Sequence, residues 1–588
     1  MKKFNLNYSL LFVALLVFSG CNDDFLNRSP LDQVSSETFW NTENDLMVYN
    51  NNFYNRARND HNIPILLGHH EGFGSHEVGM LIQDGFTDNL APHHERNSRY
   101  AQVRAGKHNV SGGSQWQGYR GWDFVRSINV GLANYDNADI PQADINKYAG
   151  EARLFRGWFY GEKVAKFGDV PWVDRELNID SEELFAARTP RIEAMDNVLA
   201  DLDFAAEWMP DDWNDGNAPG RLNRWAALLI KSRVALFEGT FRKYHGLPDS
   251  EKFLRAAADA AEELMVDGPY SLYNTGNPDT DYNAYHRMLD LSGNPEVMAW
   301  RKYELGVFTN HVQSYYSYTG GATKSMVEDY LDTDGMPITL SNLYEGDDTI
   351  EDVFVNRDPR LRQTILHPDD KAVYQYHAGD SHEYPKLLGQ SGRTSSTGYH
   401  VIKHYMAEDL IGKAYNQGEY PAIILRFAEA LLNYAEAREE LGELTQNDLD
   451  ISINLLRDRV NMPHLTLSPP MDPRYADDGI SAVLVEIRRE RRVELFGEGY
   501  RYYDLLRWKQ GKKLEEPDLG IHFDAAAEAR YDGHEIQTTM VNGRPYVDVY
   551  AGTDWADPVF DESKHYLWPI PINEISQNPA IGQNPGWE

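Results

Sequence analysis

The stretch GEARLFRGWFYGEKVAKFGDVP, Gly150–Pro171, decides the fold class. Tyr148 to Phe167 reads as one helix that ends at Gly168, and Pro171 stops any continuation. Outward from it the same texture recurs. Asp196 to Met209 reads as a second helix, closed by Pro210. Leu222 to Phe241 carries Trp225, Leu228, Leu229, Leu236 and Phe237 among small Ala226, Ala227, Ser232 and Ala235. Phe253 to Val266 carries Ala256, Ala257, Ala260 and Leu264 and stops near Gly268. These helices form a block from about Trp116 to Val266. A second block runs from about Ala422 to Gly511, where Leu425, Ala428, Leu432 and Ala435 recur at i, i+3, i+7 and i+10, one helical stripe. Asp448–Val460 and Ser481–Gly497 continue it. Small residues let helices approach, and aromatics fill the gaps between pairs. Hairpins of this kind cannot bury their own faces and so stack, in a tetratricopeptide-like manner.

Between the blocks, from Tyr270 to Glu419, the texture changes to Gly, Asn, Asp, Ser, Thr and Tyr, as in Asn274–Tyr282, Thr319-Gly320-Gly321 and Ser391–Tyr399. Loops and short strands such as Val297–Tyr303 are expected there, and Glu515–Asp561 is similar. The fold expected is therefore mainly α, a helical-hairpin scaffold interrupted by a loop-rich irregular subdomain. Loops held by a rigid scaffold are where binding residues sit.

The first twenty residues have the layout of a secretory signal peptide: Lys2 and Lys3, an apolar run from Leu10 to Phe18, small Ser19-Gly20, then Cys21. The run is too short to span a bilayer, which takes about 20 apolar residues. Cys21 is the sole cysteine, so it cannot be half of an internal disulfide. Lipid attachment at Cys21 is expected, with Phe18 in place of the usual Leu three positions earlier. The body would then reach the membrane through its N-terminal lipid only.

Without residues 1–20 the chain carries 54 basic and 91 acidic residues, which disfavours nucleic acid and anionic lipid surfaces as partners. Arg488–Arg492 with Glu490, Glu494, Glu498 and Asp504 is a dense charge cluster. Paired carboxylates could serve glycoside hydrolysis, but charges at i, i+3 and i+4 and fork-like guanidiniums point to ion pairing between helices. Six histidines fall between His61 and His94, namely His61, His69, His70, His76, His93 and His94, without an HExxH spacing. Asp332-Thr333-Asp334-Gly335 lacks the terminal Glu of a calcium loop and reads as a turn. No metal or other cofactor is expected. There is no GxSxG elbow and no Gly-rich phosphate loop, and nothing argues for an enzyme.

Several stretches, in order along the chain, resemble the SusD/RagB family of outer-membrane nutrient-binding lipoproteins. They are Cys21–Trp40 (CNDDFLNRSPLDQVSSETFW), Asp84–Asn89 (DGFTDN), Gly150–Pro171, Ala187–Arg191, Asn294–Met298 (NPEVM), Arg357–Leu361 (RDPRL), Leu425–Glu436, Ile487–Trp508 (IRRERRVELFGEGYRYYDLLRW) and Pro569–Trp587. Trp587 stands where Tyr is usual. Asn22-Asp23-Asp24 resembles the acidic export signal of surface lipoproteins in the Bacteroidota. The resemblance implies about four tetratricopeptide-like units and residence on the outer face of the outer membrane. It also implies capture of an oligo- or polysaccharide and delivery to a TonB-dependent, SusC-like barrel. The divisions expected are a signal peptide 1–20, a helical part 21–269, a loop-rich ligand-side part 270–419, and a helical part with an irregular tail 420–588.

Aromatic rings stack on the C–H faces of sugars, and Arg or carboxamides bond their hydroxyls. On that ground the ligand-binding candidates are Phe73, His93, Arg96 and Tyr100 around the TDN segment, Trp300 just past NPEV, and Tyr315, Tyr316 and Tyr318 before Gly320-Gly321. Two other readings stay open: a peptide receptor on the same scaffold, and a surface glycosidase.

Overall fold

The computed structural model describes residues 39–59, 63–65, 67–69, 83–93, 98–113, 118–214, 220–310, 320–370, 387, 394–406, 417–530 and 536–588. The expected signal peptide, Cys21 and Asn22–Asp24 lie outside the described residues.

The fold is mainly α. Its principal helices are α1 (Glu43–Asn59), α2 (Trp122–Asn134), α3 (Gln142–Phe167), α4 (Arg191–Trp208), α5 (Arg224–His245), α6 (Ser250–Asp267), α7 (Phe427–Glu440), α8 (Ala482–Glu494), α9 (Arg501–Arg507) and α10 (Ile572–Gln577). The Gly150–Pro171 stretch closes α3 where expected, with Gly168 at φ 72° as the cap. The helix starts six residues earlier than Tyr148, just after Pro141, whose fixed φ suits a helix entrance. The cap of α5 is Asn223, whose side chain accepts from the Ala226 N–H, and Gly246 in the left-handed region ends it.

Consecutive helices pack as hairpins: α3 on α4, α4 on α5, α5 on α6. The second block joins directly, since α7 packs against α6 and α5 and then carries α8. One core runs through both blocks, from Trp40 and Phe53 through Phe155, Leu202, Leu229 and Leu264 to Leu431, Ile487 and Trp568. Close approach is set by small residues. A Cβ placed on Gly161 of α3 would sit 3.0 Å from Cγ1 of Val234 in α5. Gly161→Leu is therefore expected to lower stability by about 1–3 kcal/mol through overpacking, read as a lower urea midpoint at unchanged m-value.

Two expectations are corrected. Leu425 does not open the α7 stripe; it lies in strand β4 (Ala422–Arg426), which pairs antiparallel with β2 (Val297–Arg301), and the helix begins at Phe427. Asp448–Val460 is not one helix but two short ones, Gln446–Asp450 and Ile453–Arg459. The first is fixed by a capping box between Thr445 and Asp448. The loop-rich part holds little strand. β1 (Leu90–Ala91) pairs with β3 (Gly321–Ala322), and β5 (Leu519–His522), β7 (Arg544–Asp548) and β6 (Thr538–Val541) form a three-stranded antiparallel sheet in that order.

The charge cluster on α8 ties these parts together. Glu494 accepts from Arg426 and Arg459 at 2.7 Å each and from Arg360 at 3.2 Å. Arg426 also bonds Glu296 at 3.0 Å and Glu498 at 2.7 Å. On the other faces Arg488 meets Glu440 and Arg491 meets Asp504, both at 2.9 Å, and Arg489 meets Asp329 and Asp472. Every one of these groups is buried. The ion pairing expected from the spacing is present, and it joins α8 to the loop-rich part as well as to other helices. Asp332–Gly335 is a turn, with the Gly335 N–H donating to the Asp332 carbonyl and Arg357 pairing with the Asp332 carboxylate.

The far end of the chain clasps α3. The Trp568 N–H donates to the Lys166 carbonyl at 2.8 Å, and the Asn584 side-chain amide donates to the Phe167 carbonyl at 2.9 Å. These are among the last helical carbonyls, which have no partner inside α3.

Candidate functional site

The described segments next to the sequence candidates are held by a set of anchored stems. The DGFTDN stretch forms one turn of 3-10 helix (Gln83–Phe86) followed by β1. Its acids are buried and bonded. Asp84 accepts from the Gly497 N–H at 2.7 Å and from the Asn89 amide at 3.1 Å. Asp88 takes a two-pronged guanidinium from Arg501 at 2.8 and 2.7 Å and a further contact from Arg492. Arg492 also donates to the Asn89 side-chain oxygen and to Asp329. A conspicuous acidic motif thus serves as a socket for α8 and α9, and it leaves β1 in a fixed place.

Burial pushes the Asp84 carboxyl up to about 6. Burial acts on Asp88 in the same sense, but Arg492 and Arg501 outweigh it and hold that carboxyl well below the usual range. The signs differ. A raised folded pKa contributes stability that is present below the unfolded value and lost as pH rises through about 6. Asp84→Asn is therefore expected to flatten the decline in stability between pH 4 and 6, measured by denaturant titration across that range. Burial raises Asp518 to about 7, which adds slope of the same sign. The readout is therefore the difference between variant and parent.

The β1–β3 ladder pairs Leu90 with Ala322 and Ala91 with Gly321. It is locked by the Thr323 N–H donating to the Asn89 carbonyl, the Ser396 hydroxyl to the Ala91 carbonyl, and the Tyr550 hydroxyl to the Pro92 carbonyl. Gly320 has φ 101°, and a Cβ there would lie 2.0 Å from the Ala91 carbonyl oxygen. The consequence is geometric. The chain leaving β1 at His93 and the chain entering β3 at Gly320 are neighbours, so the two groups of candidates are rooted side by side.

A second stem stands beside it. The His69 ring stacks on Tyr420 at 5.2 Å and on Tyr303 at 5.8 Å, and its Nε2 bonds the Pro421 carbonyl. Burial lowers its pKa to about 4, so the ring is neutral at pH 7. Asn310 exchanges backbone hydrogen bonds with Gly418 and donates its amide to the Tyr420 carbonyl.

Of the candidates, His93 is half-buried at the end of the first stem. Phe73, Arg96, Tyr315, Tyr316 and Tyr318 lie outside the described residues, as do His61, His70, His76 and His94. Two are corrected. Tyr100 is 1% exposed, its ring 4.5 Å from Phe86. Trp300 is 8% exposed and completes a small core with Tyr285, Leu291 and Val297. Neither offers a ring face to a ligand, because apolar rings adjoining a buried ladder lose less by packing than by standing in water. Among the described residues no group of three His, Cys, Asp or Glu side chains is arranged to hold a metal ion. The sequence reading passed over the anchoring residues Asn310, Ser396 and Tyr550. Polar side chains that bond distant backbone carry no local signal.

The SusD family pattern matches residues 280–587, just over half of the chain. The chain belongs to the SusD family. It is 22% identical over its full length to SusD-like protein P2 of Formosa agariphila, whose full length is also covered. It is 22% identical to a SusD-like protein of Bacteroides ovatus, covering 98% of this chain and 97% of that one. Among solved structures, a SusD-like carbohydrate binding protein of Bacteroides fragilis superposes with a TM-score of 0.70 at 21% identity. That match covers 92% of this chain and all of the other. A laminarin binding SusD-like protein gives 0.56 at 20% identity, covering 93% and 100%. Both carry the same helical scaffold.

Proposed function

We propose that the protein is a glycan receptor of the bacterial surface, one that captures an oligo- or polysaccharide and passes it to a TonB-dependent, SusC-like barrel. The observation that carries this reading is the shared root of two loop groups on the β1–β3 ladder. The described ends His93 and Gly320 adjoin, and the sequence just after the one and just before the other holds Arg96 and Tyr315, Tyr316 and Tyr318. The names borne by relatives, carbohydrate binding in one and laminarin binding in another, support the ligand class. No helix among the described residues is long and apolar enough to cross a membrane, in keeping with attachment through a lipid on Cys21. The paired state of the α8 carboxylates gives them a structural task and lends nothing to a glycosidase reading.

Affinity electrophoresis against a panel of neutral and acidic polysaccharides tests the proposal. Retardation by at least one glycan is expected. Replacement of Tyr315, Tyr316 and Tyr318 by Ala together is expected to weaken it by about tenfold or more, about 1.4 kcal/mol. Co-purification of peptides with no glycan retarded would instead establish a peptide receptor. Cys21→Ser is expected to abolish labelling by a palmitate analogue and release the protein from the membrane fraction; retained labelling would refute the anchor.

A further inference from the structure

A cleft of about 490 Å³, with no ladder residue in its lining, lies between α2, the segment 171–186 and α10. Its volume falls within the range of small-molecule sites. Its walls hold three rings, Tyr119, Trp122 and Phe185, with Val173 and Leu184 between them. Phe185 is 66% exposed although it is a large apolar ring, and Ile179 on the same segment is 88% exposed.

The polar groups of the cleft fall into two sets. The charges on one side are satisfied. Arg126 pairs with Glu176 and donates to the Leu177 carbonyl, Arg175 pairs with Glu183, and Asp123 pairs with Arg56. Groups on the other side are not. The Tyr119 hydroxyl is buried and has no hydrogen-bond partner, a cost to the fold unless something bonds it. Glu574 and Gln577, one turn apart on α10, line the cleft and make no side-chain hydrogen bond to the described residues.

We infer that this cleft is a second saccharide site, selective for uncharged sugars. The Trp122 and Phe185 ring faces are open to C–H stacking, the enclosed Tyr119 adding only its hydroxyl, and they stand next to unused donors and acceptors for sugar hydroxyls, the pairing that a pyranose requires. An anionic sugar would find both arginines already neutralised and would face Glu574. A purely apolar ligand would leave Tyr119, Glu574 and Gln577 unbonded and desolvated. The inference stands on this geometry and does not depend on where the loop-side site lies.

Calorimetric titration with laminarihexaose, maltohexaose, cellohexaose, xylohexaose and, as the anionic control, hexagalacturonate decides it. At least one neutral hexamer is expected to occupy a site that Phe185→Ala and Gln577→Ala each weaken by about tenfold. Tyr119→Phe, which removes only the unbonded hydroxyl, is expected to weaken that site while leaving the melting temperature unchanged or higher. The site is expected to persist when Tyr315, Tyr316 and Tyr318 are all Ala. Phe185 and Gln577 are exposed, so their variants are expected to fold. If every neutral hexamer binds with affinity and stoichiometry indifferent to the cleft variants, the inference is overturned while the loop-side proposal stands. Preference for hexagalacturonate at the cleft overturns it as well. If no hexamer binds the parent protein, the inference falls with it.

Discussion

Glu494→Ala is expected to be the most damaging single exchange in the chain, lowering stability by about 3–5 kcal/mol. The carboxylate is fully buried and meets three guanidiniums, those of Arg360, Arg426 and Arg459, which come from three separate segments. Removing it takes one counter-charge from each of the three where water cannot enter, leaving Arg426 with Glu296 and Glu498, Arg459 with Glu296, and Arg360 with Asp358 and Glu490. Glu494→Gln keeps an acceptor but not the charge, and an intermediate loss is expected. The same network sets the acid limit. Burial opposes the Glu494 carboxylate, yet Arg459, Arg426 and Arg360 hold it well below the usual range. A depressed folded pKa stabilises above the unfolded value of about 4.3 and is lost as pH falls below it. Urea midpoints from pH 6 to 3 are expected to drop steeply below about 4 in the parent and less steeply in Glu494→Ala. A variant as stable as the parent at pH 7 would refute the assignment.

The second large effect is expected at Gly320. Valine there must adopt φ near 101° and place its Cβ against the Ala91 carbonyl, which is backbone and cannot swing aside. The strain and the clash together amount to about 2–5 kcal/mol. The ladder has only two residue pairs, so it is expected to part before the helices do. The discriminating result is loss of glycan retardation with far-UV circular dichroism unchanged. Retained binding would show that the two loop groups do not need their common root.

The helices were legible because burial imposes a period that survives in one sequence. Gly150–Pro171 announces its helix by the Gly168 cap, and Ser481 announces the start of α8, where its side chain accepts from the Leu484 N–H. The start of α3 is hard to place from sequence because Gln142–Lys147 carries one buried apolar residue, Ile145, among polar ones, too few to show a helical period. Leu425 was misread because its spacing suits a helix while its pairing with Ala299 on β2 is more than a hundred residues away. Trp300 and Tyr100 stand among the sequence candidates because an aromatic in a loop-rich stretch looks the same whether it faces water or core. The charge cluster was read correctly as structural, although its partners Glu296, Asp329 and Arg360 lie in the loop-rich part. The cleft beside α2 was not legible at all. Tyr119, Phe185 and Gln577 come from three distant segments, and no spacing rule connects them.

The clasp on α3 bears on when this chain can become a folded molecule. The carbonyls of Lys166 and Phe167 wait for Trp568 and Asn584, about four hundred residues later in synthesis. Until those residues emerge, the long helix has a fraying end and part of the shared core lacks its cover. Long loops must close before such contacts form, which slows the last step of folding. If the chain is exported as proposed, that delay keeps it threadable until its synthesis is nearly complete. A stop codon anywhere before Trp568 would release an unfinished product open to proteases.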